Sequence, residues 1–210
     1  MWQRAEAGLR TVLEAAGVEW VAASDEAAFY GPKIDVQVDD AQGREQTLST
    51  VQVDFHLPEA FDLAFRTSAG DLARPVLIHR SVVSTMERMV AFLIEHYAGR
   101  FPVWLAPVQL AVLPVDAEHA SAAAALRDLV AARGLRVEVV EARQSLGSRI
   151  RLAQERQVPF MVVLGDREVA DDTVSVRRRD GRRLPVMAAA DLIGLIADLA
   201  TTRSLQLDAG

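Results

Sequence analysis

The 210-residue chain contains no cysteine, which excludes disulfide bonds and any metal site built on thiolates. Lysine is nearly absent too. Lys33 stands alone among 23 basic residues, so positive charge rests on guanidinium groups, which stay ionised and donate hydrogen bonds in a planar fork. No apolar run reaches bilayer-spanning length, and MWQRAEAGLR lacks the apolar core of a signal peptide, so a cytoplasmic protein with no membrane association is expected. An excess of positive charge is also missing, since the formal net charge is -6. Residues 1–106 carry 9 basic and 15 acidic side chains, and residues 107–210 carry 14 of each. That balance excludes a whole-surface attraction for nucleic acid and leaves only a local patch for such binding.

What is present is a globular composition, 50% hydrophobic and 25% charged, with enough chain for one large or two small domains. The pattern changes near Pro107, which divides residues 1–106 from residues 107–210. In the first part a helix over about 3–16 is followed by the strands IDVQVDD and QTLSTVQVDF. Gly43 in AQGRE suits the hairpin between them. Asp35, Gln37 and Asp39 alternate with Ile34, Val36 and Val38, as on a sheet with one wet face. In the second part VQLAVLPV, an Ala-rich helix ending near Gly134, RVEVV, a helix over about 146–156, PFMVVLG, TVSVRRR and a last helix over about 188–201 alternate. This order predicts an α/β layer with a mostly parallel sheet.

The stretch HRSVVSTMERMVAFLIEHYAG, residues 79–99, predicts an amphipathic helix. Val82, Met86, Val90, Leu93 and Tyr97 fall on one side, with Ser84, Arg88, Ala91 and Glu95 opposite. An arginine on that opposite face is either a solvated charge or a ligand-binding group.

Several separate segments, in order, carry a resemblance: AFYGPKIDVQV, STVQVDFHLPEAFDLAF, RPVLIHRSVVSTMERMVAFLIEHYAGRFPVWLAPVQ and LGDREVADDTVSVRRRDG. Together the chain resembles threonyl-tRNA synthetases of the class II group over nearly its whole length. The resemblance implies a partial class II antiparallel sheet with helices, including the third signature motif at about 75–97, followed by an anticodon-binding domain. It implies that Arg88 holds the triphosphate of ATP, a task suited to a permanently charged, bidentate guanidinium. Lys33 joins Arg88 as a catalytic candidate. Tyr30, Thr50 and Gln52 correspond to residues lining the threonine and adenylate pocket, and the two-residue spacing of Thr50 and Gln52 puts them on one strand face. Each could equally be a sheet residue facing water. The usual Gln-x-Gly-Thr pattern reads Thr47-Leu48-Ser49-Thr50, and serine stands at Ser84 where relatives usually have glycine.

His79 matches one of three family zinc ligands, and the other two positions precede anything present here. With no replacement among the remaining histidines, neither a zinc site nor any other cofactor is expected for the chain alone. The first two signature motifs and the editing domain are also missing from the sequence, so either a natural short paralogue or a piece of a longer enzyme, unable to activate threonine alone, is expected. In the second part, Glu168 and Arg177 match residues that contact anticodon bases. Arg143 and Ser145 replace an asparagine and a lysine of that reader, and arginine cannot copy the paired donor and acceptor of an amide. Arg178 and Arg179, with Arg182 and Arg183, complete an arginine cluster expected to bind tRNA. Two other readings stand beside tRNA binding: a subunit of a split synthetase completed by a complementary chain, and a noncatalytic paralogue that binds a full-length synthetase or another protein.

Overall fold

The computed structural model describes residues 1–208, and the chain forms two compact units that divide between Phe92 and Leu93. The sequence places this division at Pro107. The difference has a physical cause: FPVWLAP is built into the second unit. Val103 is fully buried in that unit's core, the Gln109 amide donates to its carbonyl at 2.9 Å, and the Arg136 guanidinium donates to the carbonyls of Ala106 and Trp104 at 2.8 and 2.9 Å.

The first unit begins with helix α1, Trp2–Ala16. Strands β1, Lys33–Asp39, and β2, Glu45–Asp54, form an antiparallel hairpin. Gly43 turns it at φ +74°, where a Cβ would be strained. The Asp40 carboxylate accepts from the backbone N–H groups of Gln42 and Arg44, both at 2.9 Å. The short helix α2, His56–Ala60, and a small hairpin of β3, Phe65–Arg66, and β4, Leu72–Ala73, follow. Strand β5, Leu77–Ser81, then pairs antiparallel with β2, giving the order β1-β2-β5. Helix α3 spans Met86–Tyr97, so Val82 and Ser84 precede it rather than lying on its faces. Ser84 breaks the predicted helix because its φ is +58°. Among the described residues of this unit the buried apolar side chains are Leu48, Pro32 and Pro58, and neither α1 nor α3 has a buried residue.

The second unit is a five-stranded sheet of order β10-β9-β8-β6-β7. Its elements are β6 (Leu110–Pro114), α4 (Ala120–Ala131), β7 (Val137–Val139), α5 (Leu146–Glu155), β8 (Phe160–Leu164), α6 (Asp166–Ala170), β9 (Thr173–Arg178), β10 (Met187–Ala188) and α7 (Ala189–Thr201). A 3-10 turn, Ala117–His119, leads into α4. Strand β6 is parallel to β7 and β8, whereas β9 is antiparallel to both β8 and β10. The sheet is therefore mixed rather than mostly parallel. Residues 165–172 are too few for a parallel crossover, which needs a dozen or more, so β9 must turn back.

Strand alternation sorts the core into two layers. Leu110, Val112, Phe160, Val162, Val174 and Val176 share one layer with Leu126 and Val130 of α4 and Leu192, Ile196 and Leu199 of α7. Ala111, Leu113 and Met161 point the other way, onto Ala153 of α5. Fully burying side chains of the larger sizes contributes about 1.5–3 kcal/mol each, and this unit holds nearly all of them.

Candidate functional site

The register of the first sheet assembles a polar face. Lys33 lies opposite Gln52, which lies opposite His79; Asp35 lies opposite Thr50, which lies opposite Ser81. Since cross-strand partners share a face and residues two apart return to it, all six belong to one surface. Tyr30 is added through its hydroxyl, which donates to the Gln52 amide oxygen, while its ring meets that of His79 edge-on at 5.5 Å. Gly31 makes that approach possible: a Cβ there would sit 1.7 Å from the Val53 carbonyl oxygen. The Lys33 ammonium is paired with the Asp35 carboxylate. At the centre, the buried Thr50 hydroxyl has no hydrogen-bond partner, an arrangement that costs free energy unless a ligand or water supplies one.

His79 is held by a neighbour on the same face of the sheet. Its Nε2 lies 2.8 Å from Oδ2 of Asp54, whose side chain has no exposed surface. The Asp54 Oδ1 also accepts from the backbone N–H groups of His56 and Leu57, both at 2.9 Å. Burial pushes the Asp54 carboxyl up, but the His79 hydrogen bond and the two N–H groups outweigh it and leave the pKa below the usual value. No group of three or more His, Cys, Asp or Glu side chains among the described residues converges on a point that could hold a metal.

Arg88 stands in the first turn of α3, exposed, with its backbone N–H capped by the Thr85 hydroxyl at 3.2 Å. Its guanidinium has no ion-pair partner among the described residues, so it is free for a ligand. Ser84 takes a left-handed backbone there, which explains physically why glycine suits this position.

In the second unit the arginine cluster separates into two kinds. Arg178 is buried, 7% exposed, with its guanidinium paired to Asp208 and, at 3.0 Å, to Asp180. Arg179 is half-buried and donates to the Phe101 carbonyl; burial first, and then neighbouring Arg100, hold its pKa below the ordinary arginine value. The expectation that these two face RNA meets a structure in which both are turned to internal partners. Arg177 and Arg183, by contrast, have no side-chain partner among the described residues. Glu168 is engaged with its own helix: Oε2 accepts from the Gly165 N–H at 3.1 Å and Oε1 from the Ser175 hydroxyl at 2.6 Å. The Ser175 bond is the main reason its pKa falls below the usual value. Of the altered positions, Arg143 pairs with Glu141 at 2.7 Å, and the Ser145 hydroxyl caps α5 by accepting from the Ser148 N–H at 3.3 Å.

Comparison with known proteins matches two family models, which part between residues 97 and 109. The family model described as the tRNA synthetase class II core domain (G, H, P, S and T) matches residues 1–97, and that of the anticodon binding domain matches residues 109–199. The threonine-tRNA ligase of Geobacillus kaustophilus is 49% identical over 199 residues, 94% of this chain. The chain belongs to the threonyl-tRNA synthetase family. A second threonine-tRNA ligase, from Listeria monocytogenes, is 48% identical over 200 residues. The chain spans 30% and 31% of the length of these two relatives. Among solved structures, the RNA binding domain of the threonyl-tRNA synthetase from Cryptosporidium parvum has a TM-score of 0.84 at 33% identity, covering 98% of this chain and 52% of that one.

Two buried charges of this threonyl-tRNA synthetase-family chain escape sequence reasoning. Arg149 is buried, 2% exposed, and donates only to backbone carbonyls, those of Pro114, Val115, Val140 and Gln144, at 2.6–3.1 Å. Burial pushes its pKa down. It ties the end of β6 to the loop before α5. His119 is 6% exposed, with Nδ1 2.9 Å from Asp116 and Nε2 3.0 Å from Asp166. It joins the turn before α4 to the first residue of α6. No local pattern marks either: Arg149 shares α5 with Arg151 and Glu155, and His119 closes a turn that also carries Asp116 and Glu118.

Proposed function

We propose that this chain binds tRNA through its second unit and does not activate threonine by itself. The carrying observation is the contrast in burial between the units. The second has a closed two-layer core, as a domain able to act on its own requires, and Arg177 and Arg183 are free for RNA. The first holds Tyr30, Lys33, Thr50 and Gln52 on one surface around an unpaired Thr50 hydroxyl, yet among the described residues its buried apolar side chains are only Leu48, Pro32 and Pro58. A site whose side chains are not locked by packing is poorly preorganised, and preorganisation supplies much of the transition-state stabilisation in acyl and phosphoryl chemistry.

Arg88 is the residue that would grip a triphosphate, and the polar face, with Thr50 at its centre, would orient a small polar substrate. When bound, ATP would supply the adenylyl group through which such an enzyme activates an amino acid, with pyrophosphate as the leaving group. Zinc has no place in this scheme, because the donor set around His79 does not fit it. A cytoplasmic setting accords with the reading, and no helix of the described residues is long and apolar enough to cross a membrane.

A second reading is favoured by a specific observation. Ile78 on β5, Val82, and Met86 and Val90 on α3 are exposed, and an apolar surface of this kind is what a complementary polypeptide carrying the rest of a class II core would cover. Threonine-dependent exchange of pyrophosphate into ATP tests both. The isolated chain should give no exchange above background. Robust exchange by the chain alone would overturn the first reading, and exchange that needs a second chain and is lost in Arg88→Ala would establish the second.

A further inference from the structure

Helix α6 is a short helix with no buried residue, so apolar packing does not fix its place. Polar ties do. Glu168 joins it to β9 through the Ser175 hydroxyl at 2.6 Å, and its first residue, Asp166, lies 3.0 Å from Nε2 of His119. His119 closes the turn that follows β6, and the chain entering that turn abuts the start of α6: a Cβ on Gly165 would sit 3.1 Å from a methyl carbon of Val115. The other ring nitrogen sets the charge state. Nδ1 lies 2.9 Å from Oδ1 of Asp116, off the line of a hydrogen bond, and the same Oδ1 is held in place by the Glu118 N–H at 2.9 Å. A neutral imidazole carries one N–H. With that hydrogen on Nε2, the Nδ1 lone pair faces the Asp116 carboxylate; with it on Nδ1, the Nε2 lone pair faces Asp166. Only the imidazolium is attracted to both.

Among the described residues the ring's ion pairs are these two, with Glu118 and Arg167 next to them in the chain. Strand β6 brings no charged side chain, α4 brings none before Arg127, which pairs with Asp128, and Arg149 of α5 is turned to the Pro114 and Val115 carbonyls. We infer that His119 is a positioning residue for tRNA binding: its imidazolium bridges Asp116 and Asp166, sets the start of α6, and so places Glu168, the residue that the family resemblance assigns to anticodon contact. Loss of the proton turns one of the two contacts into a repulsion and frees a helix that has no buried residue to hold it. Affinity for tRNA therefore follows the proton, full while the ring is charged and reduced as pH rises through its titration. By linkage, bound tRNA holds that proton more tightly by the same factor. The inference rests on the reading that this unit binds tRNA.

The test titrates unmodified tRNA into the intact chain from pH 6 to pH 9 at fixed ionic strength, well below the melting temperature, and follows the His119 ring nitrogens by NMR. Wild type is compared with His119→Gln and Asp166→Asn. Wild-type affinity should fall about fivefold as the ring loses its proton, with both nitrogens protonated at pH 6. His119→Gln should bind at every pH about as wild type does at pH 9. Asp166 is exposed, so Asp166→Asn should fold; it keeps the ring, removes one of its two carboxylates, and should move the fall in affinity to lower pH. Binding whose pH profile is the same in wild type and both variants overturns the inference while leaving tRNA binding standing, as does a ring protonated on one nitrogen alone at pH 6. A step that disappears as salt rises would make His119 one more charge attracting RNA and overturn its positioning role, since charge attraction is screened and placement of α6 is not. Absence of tRNA binding at every pH overturns the reading of this unit as a tRNA binder and the coupling with it.

Discussion

Nε2 of His79 on β5 lies 2.8 Å from Oδ2 of Asp54 on β2, a carboxylate with no exposed surface. The two side chains share one face of the first sheet, since Asp54 follows Gln52 by two residues and Gln52 pairs with His79, and Asp54 also holds the start of α2 through two backbone N–H groups.

Removing Asp54 should therefore unfold more than it unbinds. Asp54→Ala leaves His79 and two N–H groups without their acceptor, and is expected to destabilise the first unit by roughly 1–3 kcal/mol. The pKa of Asp54 is depressed on folding, so its contribution is full above the unfolded carboxylate range and is lost as pH falls through the lower folded value. Urea melts at pH 7 and at about pH 3 should show the gap between wild type and Asp54→Ala closing in acid. A gap independent of pH would show that the carboxylate charge is not what stabilises this corner.

Arg178 and Arg177, adjacent in sequence, should behave oppositely. Arg178→Ala leaves Asp208 without its partner and Asp180 with Arg182 alone, and should lower the stability of the second unit by roughly 1 kcal/mol. Arg177→Ala, which removes no internal partner, should leave melting unchanged and weaken tRNA binding. Parallel thermal melts and filter-binding titrations separate the two, and equal effects of both substitutions on binding at unchanged stability would contradict the division.

His119 supplies a pH dependence of the other sign. Burial pushes its pKa down, but Asp166 and Asp116 more than compensate and leave it above the ordinary imidazole value. Its stabilising contribution is then complete below about pH 6.5, the unfolded value, and disappears as pH rises through the folded one. Wild type should exceed His119→Gln in melting temperature at pH 6 by more than at pH 9. Equal differences at both would show that the ring acts by shape alone.

Much of this architecture is legible in the sequence, and the residues that escape share a cause. Helix α1, the β1–β2 hairpin at Gly43 and the alternation from β6 to β8 follow from periodicity and turn chemistry, which are local. The β3–β4 hairpin and α6 are too short to impose a period. The reversal of β9 follows from the shortness of residues 165–172, a signal that was present. So was the inward placement of Arg178, because Val174 and Val176 set a period of two that puts Arg178 on the core face. Its partner Asp208 lies thirty positions on in the chain, and no local pattern announces such a pair. Thr50 and Gln52 share a strand face by their spacing, whereas their meeting with Lys33 and Tyr30, like the Asp54–His79 bond, depends on strand register and emerges only from pairing.

The account turns on tRNA binding by the second unit, and a salt titration of the intact chain with purified tRNAs measures it most directly. Binding on the order of micromolar at low salt, weakening steeply as salt rises, is what a few arginine–phosphate contacts on a neutral domain produce. Discrimination among tRNAs should be weak, because Arg143 and Ser145 are engaged with Glu141 and with the cap of α5. Absence of binding at the lowest salt would contradict the account and leave protein partnership as the function of this surface.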